Sequence, residues 1–431
     1  MGKDKPPVSR STVSIIKVAG REQTDIGNGM KCLIDSLGGI DGIIPAHTRS
    51  VLIKPNLMTG KPWTTGITVH PYLIEILATE LKDRGLKVTV GEGAGWGSDS
   101  LAAFDATGVT DLCRELGIPL VDFKRGRSIR VPVPNASILK DVLVDEIVPG
   151  CDFIISLAKM KTHCETIVSL ALKNMKGLIA EDRERLRFHL LDVNRCLVDL
   201  NKTFKPGFSI VEGIIGLEGI GPLMPGKPKP LGILVGGRDP VAVDSVCAEI
   251  MGLSPLDIRH IKYAYKAGLG TAVLDEIEVL GEKIESVKPD SFEYPPMEIK
   301  DLSPYENIRI VDGNPCSNCI ASLASYLHGY IDRGIIEEAT DRVDILIGRK
   351  AKSKKTGKEI AIGNCLQRYR GKIPFVSGCP PPSDAYLELV QRGLKGDFRA
   401  TTVNTNAEVV EVSETAIKKK VKGLSRPSES K

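Results

Sequence analysis

Between Val51 and Gly281 the chain alternates short, almost uninterrupted apolar runs with longer amphipathic ones. SVLIKPN, LKVTVGEG, IPLVDF, CDFIISLAK, FSIVEGIIG, LGILVGG and IEVLG read as strands of the kind buried on both faces. HPYLIEILATELKDRG and LAAFDATGVTDLCRELG read as helices between them, with Gly85 placed to close the first. That alternation constrains the chain to an α/β fold, a mainly parallel sheet with helices on both faces. In such sheets ligands bind beyond the carboxyl ends of the strands. Polar residues at those ends are therefore the candidates for function.

The pattern divides the chain. Residues 1–11 read as a flexible N-terminus and 12–281 as the main α/β domain. Residues 282–307, rich in Lys, Glu, Ser and Pro, read as a linker. IRIVDG, CIASLASYLHGYIDRG, VDILIGR, IPFVS and SDAYLELVQRG then predict a smaller C-terminal α/β domain over 308–400, its last helix capped by Ser383. A basic, solvated tail over 401–431 follows.

Composition excludes some classes. A net charge of +4 over 431 residues gives no global field for nucleic acid, and 5% aromatics offer little base-stacking surface. No apolar run approaches the roughly 20 residues that span a bilayer. The start, MGKDKPPVSRSTVSIIKV, has no apolar stretch of a secretory signal, so a cytoplasmic location is expected. Oligomeric state is not encoded in these features.

Charges interrupt the apolar elements in an unusual way. Lys54 and Asn56 fall at the end of one strand, Lys159, Lys161 and His163 at the end of another, and Lys173, Asn174 and Lys176 in the helix-like TIVSLALKNMKG. Lysines at sheet ends attract anions. The glycine-rich GEGAGWGSDS can offer backbone N–H groups to the same ligand, although an ordinary turn reads equally well. On the helical pattern RERLRFHLLDVNRCLVDLN, His189, Asp192, Cys196 and Asp199 share one face, a place for metal binding or proton transfer unless that face is simply solvated. IVEGIIGLEGIGP puts Glu212 at a strand end and Glu218 in a loop, and Asp239 before Pro240 reads as a helix N-cap.

Of ten cysteines, six lie singly among apolar residues and read as small buried hydrophobes. The other four gather in the last third: Cys316 and Cys319 in PCSNC, Cys365 in GNC, and Cys379 in GCPPP. Each lies at an element end near Gly or Pro, where backbone can wrap an ion. The three prolines after Cys379 end a strand and hold that thiol stiffly. Four thiolates suit a structural zinc or an iron–sulfur cluster, and a redox-active C-x-x-C without metal is a third reading. Spacing alone does not separate these, though one C-x-x-C with two distant singles suits a cubane better than two zinc knuckles.

Two resemblances sharpen this. GCPP followed by an acidic amphipathic helix is similar to the last cluster-ligand segment of the small iron–sulfur subunit of respiratory complex I and related hydrogenases. That resemblance implies a [4Fe–4S] cluster on Cys316, Cys319, Cys365 and Cys379, although the first pair here is C-x-x-C and the intervals differ. Over residues about 50–270, IKPNL, KTH, ALKNMKG, IVEGIIGLEGIGP and GGRDPVAVDSVCAEIMG occur in order and resemble the family called domain of unknown function 362. Its members are described as iron–sulfur associated, some through ferredoxin-like insertions. This chain lacks the tight ferredoxin cysteine run, and the family supplies no reaction.

The expectation is an iron–sulfur enzyme, a redox or Lewis-acid catalyst acting on a small carboxylate or phosphate. Lys161 and Lys173 would clamp the anion, with Lys54, Asn56, Lys159, Asn174 and Lys176 around it. His163 or His189 would move a proton, and Glu212 or Asp192 would orient it. The alternatives are an electron-transfer or cluster-carrying protein that docks a redox partner, and a binding protein stabilised by zinc.

Overall fold

The computed structural model describes residues 10–404 other than 96, 224, 296–298, 316, 332, 380 and 382. Most of the two terminal segments expected to be loose therefore lies outside the described residues. The chain forms two compact units, one of residues 1–188 and 192–297, the other of 189–191 and 298–431. The stretch read as a linker contains a short helix, Ile284–Val287, on the first unit's side of that division.

The first unit is built on strands β1 (Ser11–Lys17), β2 (Ser50–Pro55), β3 (Lys87–Glu92) and β4 (Leu120–Asp122), a separate hairpin β5 (Ser128–Pro132) and β6 (Asp141–Asp145), then β7 (Phe153–His163), β8 (Ile167–Ser169), β9 (Phe208–Glu218), β10 (Lys227–Gly237) and β11 (Ile277–Gly281). The large sheet has the order β11-β1-β10-β9-β7-β2-β3-β4, with β8 folded back on β7. The pairs β9–β7, β7–β2, β2–β3, β3–β4 and β1–β11 are parallel, and β10 runs against both of its neighbours. The fold is thus α/β with a mostly parallel, mixed sheet. Alternate residues of one strand serve opposite faces. Ile155 and Leu157 pack with helices Gln23–Ser36 and Pro71–Asp83, whereas Ala158 and Met160 pack with Pro240–Ile250 and Arg259–Lys266.

Local chemistry explains the elements. His70 caps helix Pro71–Asp83 by accepting from the Tyr72 N–H, and Gly85 follows its end at φ +73°. Asp239 caps Pro240–Ile250 by accepting from the Val241 and Ala242 amides.

Several expectations are corrected. LAAFDATGVTDLCRELG is two helices, Ser100–Ala106 and Val109–Leu116, separated at Gly108 with φ +76°. TIVSLALKNMKG is not one helix but β8 followed by the short turns Ala171–Asn174 and Met175–Leu178. Lys159, Lys161 and His163 lie within β7, and Glu212 and Glu218 both lie within β9, because these two strands run on to 11 residues each. The single helix expected across His189 to Asp199 is broken: Asp182–Leu191 ends, and Asp192, extended at φ −173°, caps Val193–Thr203.

The second unit is a five-stranded parallel sheet in the order β12 (Ile308–Asp312), β13 (Val343–Ile347), β14 (Glu359–Ile362), β15 (Phe375–Val376) and β16 (Thr402–Val403). Helix Ser317–Ser325 follows β12 and runs into a π turn at Tyr326–Tyr330. The final helix starts at Leu387 with Tyr386 at its N-cap, later than predicted, because Ser383–Tyr386 forms a 3-10 turn.

Candidate functional site

Three lysines point out of the carboxyl halves of β2 and β7, and all are buried. Two of them are neutralised. Lys54 Nζ stands 2.6 Å from Glu92 Oε2, where β3 ends, and also donates to Asn174 Oδ1 at 2.8 Å. Lys159 Nζ donates to both oxygens of Glu212, at 2.8 and 2.7 Å. Lys161 is different. Its ammonium meets Asn56 Oδ1 at 2.6 Å, the Ile67 carbonyl at 2.9 Å and Met58 Sδ at 3.2 Å, all neutral acceptors. Burial, then the neighbouring Lys173 and Lys159, push its pKa well below the usual lysine value.

The segment Ala171–Leu178 brings the remaining cations. Burial lowers Lys173 to about 8, with Glu165 and Cys164 opposing the shift. Burial, Lys173 and Arg185 lower Lys176 to about 7. Asn174 locks this segment to the sheet by donating to the Lys54 carbonyl and to Ser156 Oγ, each at 3.0 Å. Asp244, fully buried, accepts from the Ala171 and Leu172 amides at 2.7 and 3.1 Å. Burial raises its carboxyl to about 8. Arg185 donates to the carbonyls of Gly93, Gly177 and Ile179, at 2.8 Å, 3.0 Å and 2.7 Å. Gly177 is required by contact: a Cβ there would overlap Glu92 Oε1 and Lys54 Nζ.

The candidates named from sequence therefore separate. Lys54 with Asn174, Lys159 with Glu212 and Lys161 with Asn56 form three hydrogen-bonded pairs in a lysine layer at the strand ends, Lys173 couples electrostatically to Lys161, and Lys176 couples to Lys173. His163 is buried, with Nδ1 accepting from the Glu165 amide at 3.1 Å. Asp192 accepts from the amides of Asn194 and Arg195 and pairs with Arg259 at 2.7 Å. Asp199 accepts from the amides of Ser137, Ile138 and Leu139, so it is spent on holding a loop. His189, also buried, sits near the end of the helix preceding the break, not on a face shared with Asp192 and Asp199. Asp244 stands in GGRDPVAVDSV, where the sequence already places it with Asp239 at a strand-to-helix turn, whereas sequence reasoning missed Glu92, Glu165 and Arg185. Glu92 carried a signal, an acid closing an apolar strand. Arg185 carried none, since it lies in a helix start dense with charge.

In the second unit the cysteines follow the carboxyl ends of three parallel strands: Cys319 after β12, Cys365 after β14, Cys379 after β15. Cys316 lies outside the described residues. Gly363 gathers the other positions. A Cβ on it would lie 3.6 Å from Cys319 Sγ, 3.7 Å from Cys365 Sγ and 3.8 Å from the Gly378 carbonyl oxygen. Its φ of +91° also suits glycine. The loop of Cys365 is stitched to that of Cys379: the Asn364 amide donates to the Gly378 carbonyl, and the Gly378 amide donates to Asn364 Oδ1, each at 2.9 Å. The Pro381 carbonyl accepts from Ser322, one turn beyond Cys319, and from Tyr386. Two thiols and the carbonyl of Gly378, the residue before Cys379, thus converge on Gly363, which fits a thiolate-held metal group. Among the described residues no set of three or more His, Cys, Asp or Glu closes on a metal position.

Over 265 residues the chain is 29% identical to a thylakoid-associated protein of Synechocystis, a match covering 60% of this chain and 80% of the relative. The lactate racemase apoprotein from Thermoanaerobacterium thermosaccharolyticum gives a TM-score of 0.39 at 12% identity, over 59% of this chain and 60% of that one. No helix among the described residues is long and apolar enough to cross a membrane. Residues 51–249, which hold the whole lysine layer, match the family model described as domain of unknown function (DUF362).

Proposed function

We propose that the chain is an iron–sulfur enzyme acting on a small carboxylate or phosphate bound by the lysine layer. The observation that carries this is the charge balance at the carboxyl ends of β2 and β7. Lys54, Lys159, Lys161, Lys173 and Lys176 are coupled there to three carboxylates, Glu92, Glu212 and Glu165, while Arg185 is coupled to Glu92, Asp182 and Asp122. Burying an ammonium without a counter-charge is costly, so the arrangement is favoured when an incoming anion supplies it. Lys161 and Lys173 clamp that anion, with Asn56 and Lys176 beside it. His163, at the end of β7, holds or moves the proton, and Glu212 fixes Lys159.

Cys316, Cys319, Cys365 and Cys379 would hold a [4Fe–4S] cluster, which when bound supplies one-electron or Lewis-acid chemistry. The convergence of Cys319 and Cys365 at Gly363 supports the site but is equally compatible with zinc, the second reading. A cluster carrier without its own substrate is the remaining alternative. The compartment proposed is the cytoplasm, and recovery of the native protein with sedimented membranes, where its Synechocystis relative's name points, would overturn that.

The test combines anaerobic purification, iron, sulfide and zinc analysis, and calorimetric titration with phosphate and simple dicarboxylates. The proposal expects iron and sulfide in the wild type, their loss in Cys379→Ser, and anion binding lost in Lys161→Ala. Zinc without colour supports the binding-protein reading. Iron with undiminished anion binding in Lys161→Ala removes the lysine layer from the function.

A further inference from the structure

The lysines of the layer differ in what their nitrogens are bound to. Lys54 is spent on Glu92 and Asn174, and Lys159 on Glu212. Lys161 meets three neutral acceptors, which match the three donors of an ammonium. Lys173 makes no hydrogen bond or salt bridge with a described residue. It is also the most accessible of these four, 9% exposed against 0%, 1% and 1% for Lys54, Lys159 and Lys161. Its turn is nevertheless held firmly. Asn174 ties one side to the sheet, and Asp244 holds the amides of Ala171 and Leu172 on the other.

The surroundings of this amine do not favour its charged form. Lys161 and Lys176 are coupled to it as cations, and Glu165 is the carboxylate that opposes them. On the interior side, Asn201 donates to the Leu172 carbonyl at 3.0 Å, and His260 couples to Lys173. His260 is fully buried, and its ring nitrogens have no hydrogen-bond partner among the described residues. Burial and Lys173 lower its pKa to about 3, so it stays uncharged at neutral pH and gives an ammonium no counter-charge. A desolvated lysine beside other cations is a nucleophile near neutral pH, where an exposed lysine is an ion.

We propose that Lys173 forms an imine with the carbonyl of a 2-oxo acid whose carboxylate rests on Lys161. This depends on the anion site proposed above and names its substrate class. Because Lys173 and Lys161 are neighbours, the carbonyl has to stand beside the carboxylate, as it does in a 2-oxo acid. The free amine adds to the carbonyl carbon, and its two protons leave with the carbonyl oxygen as water. A C=N bond replaces C=O with no oxidation or reduction. Phosphate, which has no carbonyl, occupies the same position without reacting.

The experiment incubates the full chain, purified anaerobically, with pyruvate or 2-oxoglutarate and then with sodium cyanoborohydride, which reduces an imine to a stable amine. Intact mass should show one reduced oxo acid per chain, and peptide mapping should place it on Lys173. Inorganic phosphate should slow the trapping at least tenfold, as should Lys161→Ala. Lys173→Met, checked by circular dichroism, should abolish it. No adduct from a chain that binds phosphate by calorimetry overturns the imine and leaves the anion site standing. No adduct and no anion binding overturns both. Adducts scattered over exposed lysines, undiminished in Lys173→Met, overturn the imine as well. Trapping on Lys173 that neither phosphate nor Lys161→Ala affects overturns the placement of the carboxylate on Lys161.

Discussion

Lys54 and Glu92 form an ion pair of 2.6 Å with side chains 0% and 2% exposed, and the backbone of Gly177 closes over both. Removing one member of such a pair strands the other charge in the interior. Glu92→Ala should therefore destabilise the first unit by roughly 3–5 kcal/mol, measured by urea unfolding. Glu92→Gln, which keeps one acceptor oxygen for Lys54 and the Leu57 amide and gives up the one that takes the Gly93 amide, should cost less.

Lys161 gives the opposite expectation. It has no carboxylate among its hydrogen-bond partners, so Lys161→Met removes a desolvated cation and its burial cost. Unfolding free energy should be unchanged or higher, while binding of phosphate or dicarboxylate is lost. Loss of stability with binding retained would make Lys161 a structural residue.

The pH dependence follows from Lys173 and Lys176, whose folded-state pKa values are lowered to about 8 and about 7. The unfolded chain keeps protons on both up to the ordinary lysine value, so between those limits it binds more protons than the folded chain. Stability contributed by this pair should then rise with pH from about 7 upward, and the burial penalty should be fully present below about 7. An anion favours the protonated amines, so its affinity should fall over the same window. Unfolding and titration across this range, repeated on a Lys173→Met/Lys176→Met double variant, should show both slopes flattened.

Asp244 braces the segment that carries these lysines. Asp244→Ala leaves the buried amides of Ala171 and Leu172 unpaired and should cost about 2 kcal/mol or more, with weaker anion binding. Asp244→Asn retains an acceptor and should recover part of both. Equal losses of binding and stability in the two variants would show that the charge, not the cap, is what matters.

Gly363 tests the second unit. Gly363→Ala places a methyl against Cys319 Sγ and Cys365 Sγ on backbone that disfavours a side chain. Metal content per chain should drop while the far-ultraviolet circular dichroism of the purified protein is kept. Full metal content in that variant would place the metal elsewhere.

The sheet was legible because parallel strands buried on both faces must be apolar along their length, and charges interrupting them stand out. Lys54, Lys159 and Lys161 were found on that ground. Glu92 and Arg185 were harder: a single acid closing LKVTVGE also ends ordinary strands, and RERLR reads as a solvated helix face. The break at Asp192 was hidden for a different reason: the apolar spacing continues in phase across it, and only the capping bonds of its carboxylate reveal the stop. TIVSLALKNMKG misled because a short apolar run serves a strand or a helix equally well. The cysteines could be grouped by their neighbours Gly and Pro, but their meeting point depends on which strand lies beside which.

That meeting point has a consequence for how the protein is made. Cys319 emerges long before Cys379, and β15 must pair with β14 before the loops of Cys365 and Cys379 can be stitched together. A growing chain therefore presents its thiols one at a time to the surroundings, and they become a common site only after synthesis has passed the last of them. Oxidation or mispairing during that interval competes with assembly, so recombinant yield should depend more on the redox state of the producing cell than on the stability of the finished fold.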